Sequence, residues 1–172
     1  DQISRLGPSR IEAHASAIAS YCARRMGSLR HQNGTRVCEV YGWDGVGGVG
    51  SFVVGQGPVV AFNVLRSDGS WVGYREVETL AGAAGIVLRT GCHCNPGACS
   101  DHLGITASQA KANFEAGHNC WDDRDVLEGK PTGCVRASFG YMSNWEDADA
   151  LVCLLEATYA KIGTTGRGAA LS

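Results

Sequence analysis

The sequence predicts an α+β fold: a small, mostly antiparallel sheet with helices on one face. Three observations carry this. Amphipathic stretches with helix-start residues alternate with short β-rich runs. The segment Cys134–Phe139 alternates strictly, with Val135, Ala137 and Phe139 on one face of the pleat and Cys134, Arg136 and Ser138 on the other. A 44% hydrophobic content over 172 residues is enough for one core. Together these describe a two-layer sandwich, with residues 1–163 as a single subdomain and 164–172, rich in Gly, Thr and Ala, as a flexible tail or linker.

In chain order, Ser9 with Glu12 reads as a capping box. It opens a helix whose stripe of Ile11, Ala15, Ile18, Cys22 and Met26 ends at Gly27. Strands are expected at Arg36–Tyr41, Phe52–Val54 and Val59–Leu65. A helix near Tyr74–Ala84 contains the unfavourable Gly82, and a strand follows at Ile86–Arg89. Thr106 with Gln109 is a second capping box, for a short helix closed by Gly117. Ser143 with Glu146 opens the last helix, striped by Ala148, Leu151, Val152, Leu155, Tyr159 and Ile162 and stopped at Gly163.

A formal charge of −2 leaves no electrostatic footprint for nucleic acid. No run approaches the roughly 18 apolar residues of a membrane span, and no charged and apolar leader pattern appears, so a cytoplasmic protein is expected. The start at Asp1, without Met, reads as a piece of something larger. Of the eight cysteines, Cys22, Cys38, Cys134 and Cys153 fall in apolar patterns and read as small buried hydrophobes.

Several motifs fail on context. Gly45–Gly50 fits G-x-G-x-x-G, but a dinucleotide site needs a helix after it, whereas Ser51–Val54 reads as strand. Asp122–Asp125 lacks the spacing of a calcium loop and reads as an acidic turn. Asn33-Gly34-Thr35, formally a glycosylation sequon, reads as a turn.

The chemistry concentrates in Arg89-Thr90-Gly91-Cys92-His93-Cys94-Asn95-Pro96-Gly97-Ala98-Cys99, three thiols at a strand-to-turn junction. A thiol nucleophile needs local activation, and Arg89 and His93 could supply positive potential. The Asn-Pro-Gly turn would leave Cys94 on a mobile projection able to deliver sulfur elsewhere. Two other uses compete. Cys92, Cys94, Cys99, His102, His118 and Cys120 are six soft ligands for a structural zinc, although Cys-x-Cys is not a zinc-knuckle spacing. A disulfide-switching pair is the third reading.

This run, with Gly129-Lys130-Pro131-Thr132-Gly133-Cys134-Val135-Arg136-Ala137-Ser138-Phe139-Gly140-Tyr141-Met142-Ser143, resembles the C-terminal subdomain of the cysteine-desulfurase-like, class V aminotransferase-type domain of molybdenum cofactor sulfurases. The likeness extends from Gly57-Pro58 through Phe62–Leu65, Gly73-Tyr74 and Glu115–His118 to the last helix. It implies the C-terminal subdomain of a fold-type I pyridoxal phosphate enzyme. In such enzymes the cofactor activates L-cysteine, a loop Cys takes the sulfur as a persulfide, and alanine leaves. The matching persulfide carrier here is Cys94, and Arg136 matches the arginine that clamps the substrate carboxylate. The expected function is a sulfurtransferase that passes sulfur to the molybdenum cofactor through a further C-terminal domain. The rest of the desulfurase domain, and a second copy in a full-length homodimer, are the expected partners.

The chain departs from that pattern in lacking any segment resembling the strand and loop of the Schiff-base lysine or the cofactor phosphate site. Lys111, Lys130 and Lys161 all stand in other contexts. Half an active site is therefore expected, with no covalently bound cofactor, no metal and no turnover by the isolated chain. The alternative of a different class is a zinc-binding or sulfur-carrier interaction module without catalysis of its own.

Overall fold

The computed structural model describes residues 2–43, 56–119 and 122–160. The Gly45–Gly50 motif, the Phe52–Val54 strand, Cys120, Lys161, the end of the last helix and the tail lie outside the described residues.

The first helices are α1 (Gln2–Leu6) and α2 (Pro8–Ser28). Helix α2 starts earlier than the Ser9–Glu12 box implies: Gly7 is the N-cap, with no side-chain cap, and Pro8 takes the first turn. Proline's fixed φ suits that position and needs no N–H there. Strands β1 (Cys38–Tyr41), β2 (Val59–Leu65) and β3 (Trp71–Val72) follow, then α3 (Tyr74–Ala83) and β4 (Arg89–Gly91). Next come α4 (Pro96–Leu103) and α5 (Ala107–Glu115), the latter opened by the expected Thr106–Gln109 capping box. A small hairpin, β5 (Val126–Leu127) with β6 (Lys130–Pro131), precedes β7 (Cys134–Ser138) and α6 (Trp145–Leu155), which continues as a wider π-helical turn over Glu156–Ala160. The box that opens α6 is Asn144 with Asp147, one residue beyond the expected pair. Asn is as good a cap as Ser, and Asp147 returns the second bond.

The main sheet runs β1-β2-β7-β4 with β3 on β2, every pair antiparallel. Its inner face offers Val60, Phe62, Val64, Val135 and Ala137 to a core shared with Ile18, Cys22 and Met26 of α2, Val77 and Ala81 of α3, and Leu151, Val152 and Leu155 of α6. Cys22 and Cys38 are buried as expected, but Cys153 is exposed and Cys134 is only half-buried. Cys153 stands two positions, about 200°, round the helix from Leu151 and so off the apolar stripe. Cys134 belongs to the other side of the β7 pleat, opposite the core. The Asn33–Thr35 turn forms around the Asn33 side chain, which accepts from the Thr35 N–H and donates to the Ser67 carbonyl oxygen. The Asp122–Asp125 turn is less solvated than expected: Asp122 accepts from two backbone N–H groups and Asp125 accepts from the Arg75 N–H at the start of α3.

The chain entering β7 passes close to the end of β4. A Cβ on Gly133 would lie 2.7 Å from Gly91 backbone atoms. Because backbone cannot swing aside as a side chain can, Gly133→Ala should cost about 1–3 kcal/mol by overpacking. Thermal denaturation measures this, and an unchanged midpoint would mean the two strands separate freely.

Candidate active site

Antiparallel register brings distant residues into rows on the second face of the sheet. Tyr41 pairs with Ala61, Ala61 with Arg136, and Arg136 with Arg89, so these four lie side by side across β1, β2, β7 and β4. The adjacent row contains Asn63, Cys134 and Gly91. Asn63 is buried at 1% exposure and fixes its surroundings, donating to the Tyr41 hydroxyl oxygen at 3.1 Å and to the Gly133 carbonyl at 3.0 Å. Burial pushes the Tyr41 hydroxyl up to about 12, so it stays protonated.

Helix α4 roofs this face. Asn95 caps it by accepting from the Ala98 N–H, Pro96 occupies its first turn, and Gly104 ends it in the left-handed conformation. The Asn-Pro-Gly run therefore starts a helix where a turn was expected. Between roof and sheet is a cavity of about 270 Å³, whose walls include Tyr41, His93, Cys99, His102, Cys134 and Arg136.

The three loop thiols part company here. Cys92 and Cys99 are joined in a disulfide, with Cα atoms 5.5 Å apart, and both sulfurs lie near the Thr132 carbonyl oxygen, at 3.1 and 3.8 Å. Cys94 is free and exposed. His93 and Cys94 both take left-handed φ values, 53° and 57°, rare for residues with a Cβ, and the turn is closed by the Asn95 N–H donating to the Cys92 carbonyl. His93 turns inward to line the cavity while Cys94 is not among its walls. Cys94 and Arg136, the two expected site residues, thus sit on the same loop-and-strand unit but not in one cavity.

Arg136 is half-buried, and its Nε is buried with no hydrogen-bond partner. None of the ion pairs among the described residues includes it, so it is not tied to a structural carboxylate. His93 differs from its expected role as a source of positive potential. Burial, then Arg136, then Arg89, lower its pKa, so the ring is neutral at pH 7 and the guanidiniums are the cations here. Its Nε2 lies 3.6 Å from Cys134 Sγ. Burial pushes the Cys134 thiol up to about 11.

Among the described residues no group of three or more His, Cys, Asp or Glu side chains is arranged to hold a metal ion. His118 instead pairs with Asp122 at 2.9 Å. Pyridoxal phosphate does not fit as a covalent group on the described residues. Lys111 pairs with Glu115 in solvent, and Lys130 donates to the Gly104 carbonyl and Gln109 Oε1, so neither reaches the cavity. Among the described residues no helix is long and apolar enough to cross a membrane.

Sequence reasoning missed Tyr41, Asn63 and Cys134 as site residues and gave His102 only as a ligand of the competing zinc reading. The pleat alternation that placed Arg136 had already placed Cys134 on the same face, so that signal was available.

No family model matches the chain. Its sequence is similar to molybdenum cofactor sulfurases of rice (49% identical over 162 residues), Arabidopsis thaliana (47% over 171) and Bos taurus (44% over 160), covering 93%, 99% and 92% of this chain. It spans only 19%, 20% and 18% of those relatives' own lengths. In fold it is similar to the cysteine desulfurase CsdA (S-sulfonic acid) of Escherichia coli, with a TM-score of 0.54 at 18% identity, covering 91% of this chain and 27% of that one. The α+β arrangement is thus that of a cysteine desulfurase segment, and the chain belongs to the molybdenum cofactor sulfurase family.

Proposed function

We propose that this chain is the sulfur-handling and carboxylate-binding part of a cytoplasmic molybdenum cofactor sulfurase, the C-terminal subdomain of its desulfurase domain. The observation that carries the reading is Arg136: a guanidinium with no carboxylate partner among the described residues, facing a cavity beneath a loop whose one free thiol is Cys94. A planar fork suits a carboxylate held bidentately. Arg136 orients L-cysteine by that group, Tyr41 and the α4 roof exclude water, and Cys94 carries the sulfur out as a persulfide. Its exposure suits delivery to the molybdenum cofactor bound by a further domain. Pyridoxal phosphate would be held by regions outside the described residues and would supply the electron sink for this chemistry. The protein acts as a homodimer in full length.

The test is mass spectrometry of the full-length protein after L-cysteine treatment. One added sulfur on the peptide carrying Cys94, with alanine released, is expected; a sulfur found only on other peptides would overturn the reading. A second prediction concerns the isolated chain: given pyridoxal phosphate and L-cysteine, it should show no visible cofactor band and no alanine release. A borohydride-trapped lysine adduct found by peptide mapping, together with turnover, would sink it.

A further inference from the structure

The reading above uses Arg136 and Cys94 but leaves the inward neighbour of Cys94 without a task. Two consecutive left-handed residues send the His93 ring into the cavity, and the Cys92–Cys99 link and the Asn95 turn hold it there. A half-buried neutral imidazole beside two guanidiniums attracts no further cation and presents one nitrogen acceptor. Cys134 Sγ lies 3.6 Å from Nε2, while Nδ1 is buried with no hydrogen-bond partner; with the proton on Nδ1, Nε2 is the acceptor that faces this sulfur. Cys134 has a second acceptor in the Gly91 carbonyl oxygen, 3.9 Å away, so its weak S–H bond can turn aside and release Nε2 at little cost.

We propose that His93 is the specificity-determining residue for the thiol end of the ligand: the cavity takes a small α-amino acid with its carboxylate on Arg136 and its S–H donating to His93 Nε2. The spacing agrees. Cys134 and Arg136 are two residues apart on one face of β7, so their side chains start roughly 7 Å apart at the strand rise, a span that a three-carbon amino acid fills with a hydrogen bond at each end. Cys134 marks where sulfur meets the imidazole. The proposal rests on the carboxylate clamp at Arg136 and adds the group that separates a thiol from a methyl.

The test compares L-cysteine with L-alanine binding to the chain by ¹H–¹⁵N NMR, in oxygen-free buffer without added reductant so that the Cys92–Cys99 link is kept. The wild-type chain should prefer L-cysteine. His93→Phe should lose roughly three- to tenfold of that preference, the worth of one hydrogen bond, while binding L-alanine as before; His93→Asn, which restores an acceptor, should recover part of it. Arg136→Gln should weaken both acids alike. An undiminished preference in His93→Phe overturns the proposal and leaves the clamp standing, whereas unchanged binding of both acids by Arg136→Gln overturns the clamp itself. Should His93→Phe fail to fold, the wild-type imidazole resonances decide: L-cysteine must shift them more than L-alanine, and equal shifts refute the assignment.

Discussion

Replacing Cys94 with Ser in the full-length protein should abolish sulfur transfer while leaving the fold intact. The substitution removes the sulfur that can hold a persulfide and changes little else, because the side chain is exposed and packs against no part of the core. Cys92→Ser and Cys99→Ser should behave differently. Each removes the link that ties the loop to α4, yet Asn95 still caps the helix and closes the turn, so partial activity should remain. Measured together, the three variants separate chemistry from scaffold. A persulfide that persists in Cys94→Ser but vanishes in either neighbour would move the nucleophile. If instead the cluster bound zinc, all three variants should release metal and lose stability together, since each would open the coordination shell.

Local rules carried much of the fold. Strand β2 runs over the expected Val59–Leu65 and α3 ends within a residue of expectation, because branched runs and amphipathic stripes are decided by neighbours in sequence. Helix α4 was hidden for a physical reason: Asn-Pro-Gly is both a good turn and a good helix start, with Asn at the N-cap and Pro at the first position, and the roof position over the sheet settled which. The cavity itself was not legible. Its row of Tyr41, Ala61, Arg136 and Arg89 depends on the register of four strands far apart in the chain, and a slip of one residue would turn any of them to the other face. The inward turn of His93 depends likewise on two left-handed residues that no propensity favours.

Arg136→Ala should raise the L-cysteine KM of the full-length protein by roughly 30- to 150-fold, the loss of about 2–3 kcal/mol from a charge-assisted carboxylate contact. Stability should move the other way from a broken salt bridge. Arg136 has no carboxylate partner among the described residues, and its Nε is buried without one, so removing it relieves an uncompensated polar group. Its midpoint of thermal unfolding should therefore hold or rise. The imidazole of His93 reports on the same change. Arg136 is one of two guanidiniums that lower its pKa, and taking away a neighbouring cation favours the protonated ring, so the His93 pKa should rise in the variant, as read by an NMR titration. Burial, the largest cause, remains, and the rise should stop short of the ordinary histidine value. A KM that stays put while the unfolding midpoint falls would assign Arg136 to the scaffold, and the carboxylate would have to be held by another group.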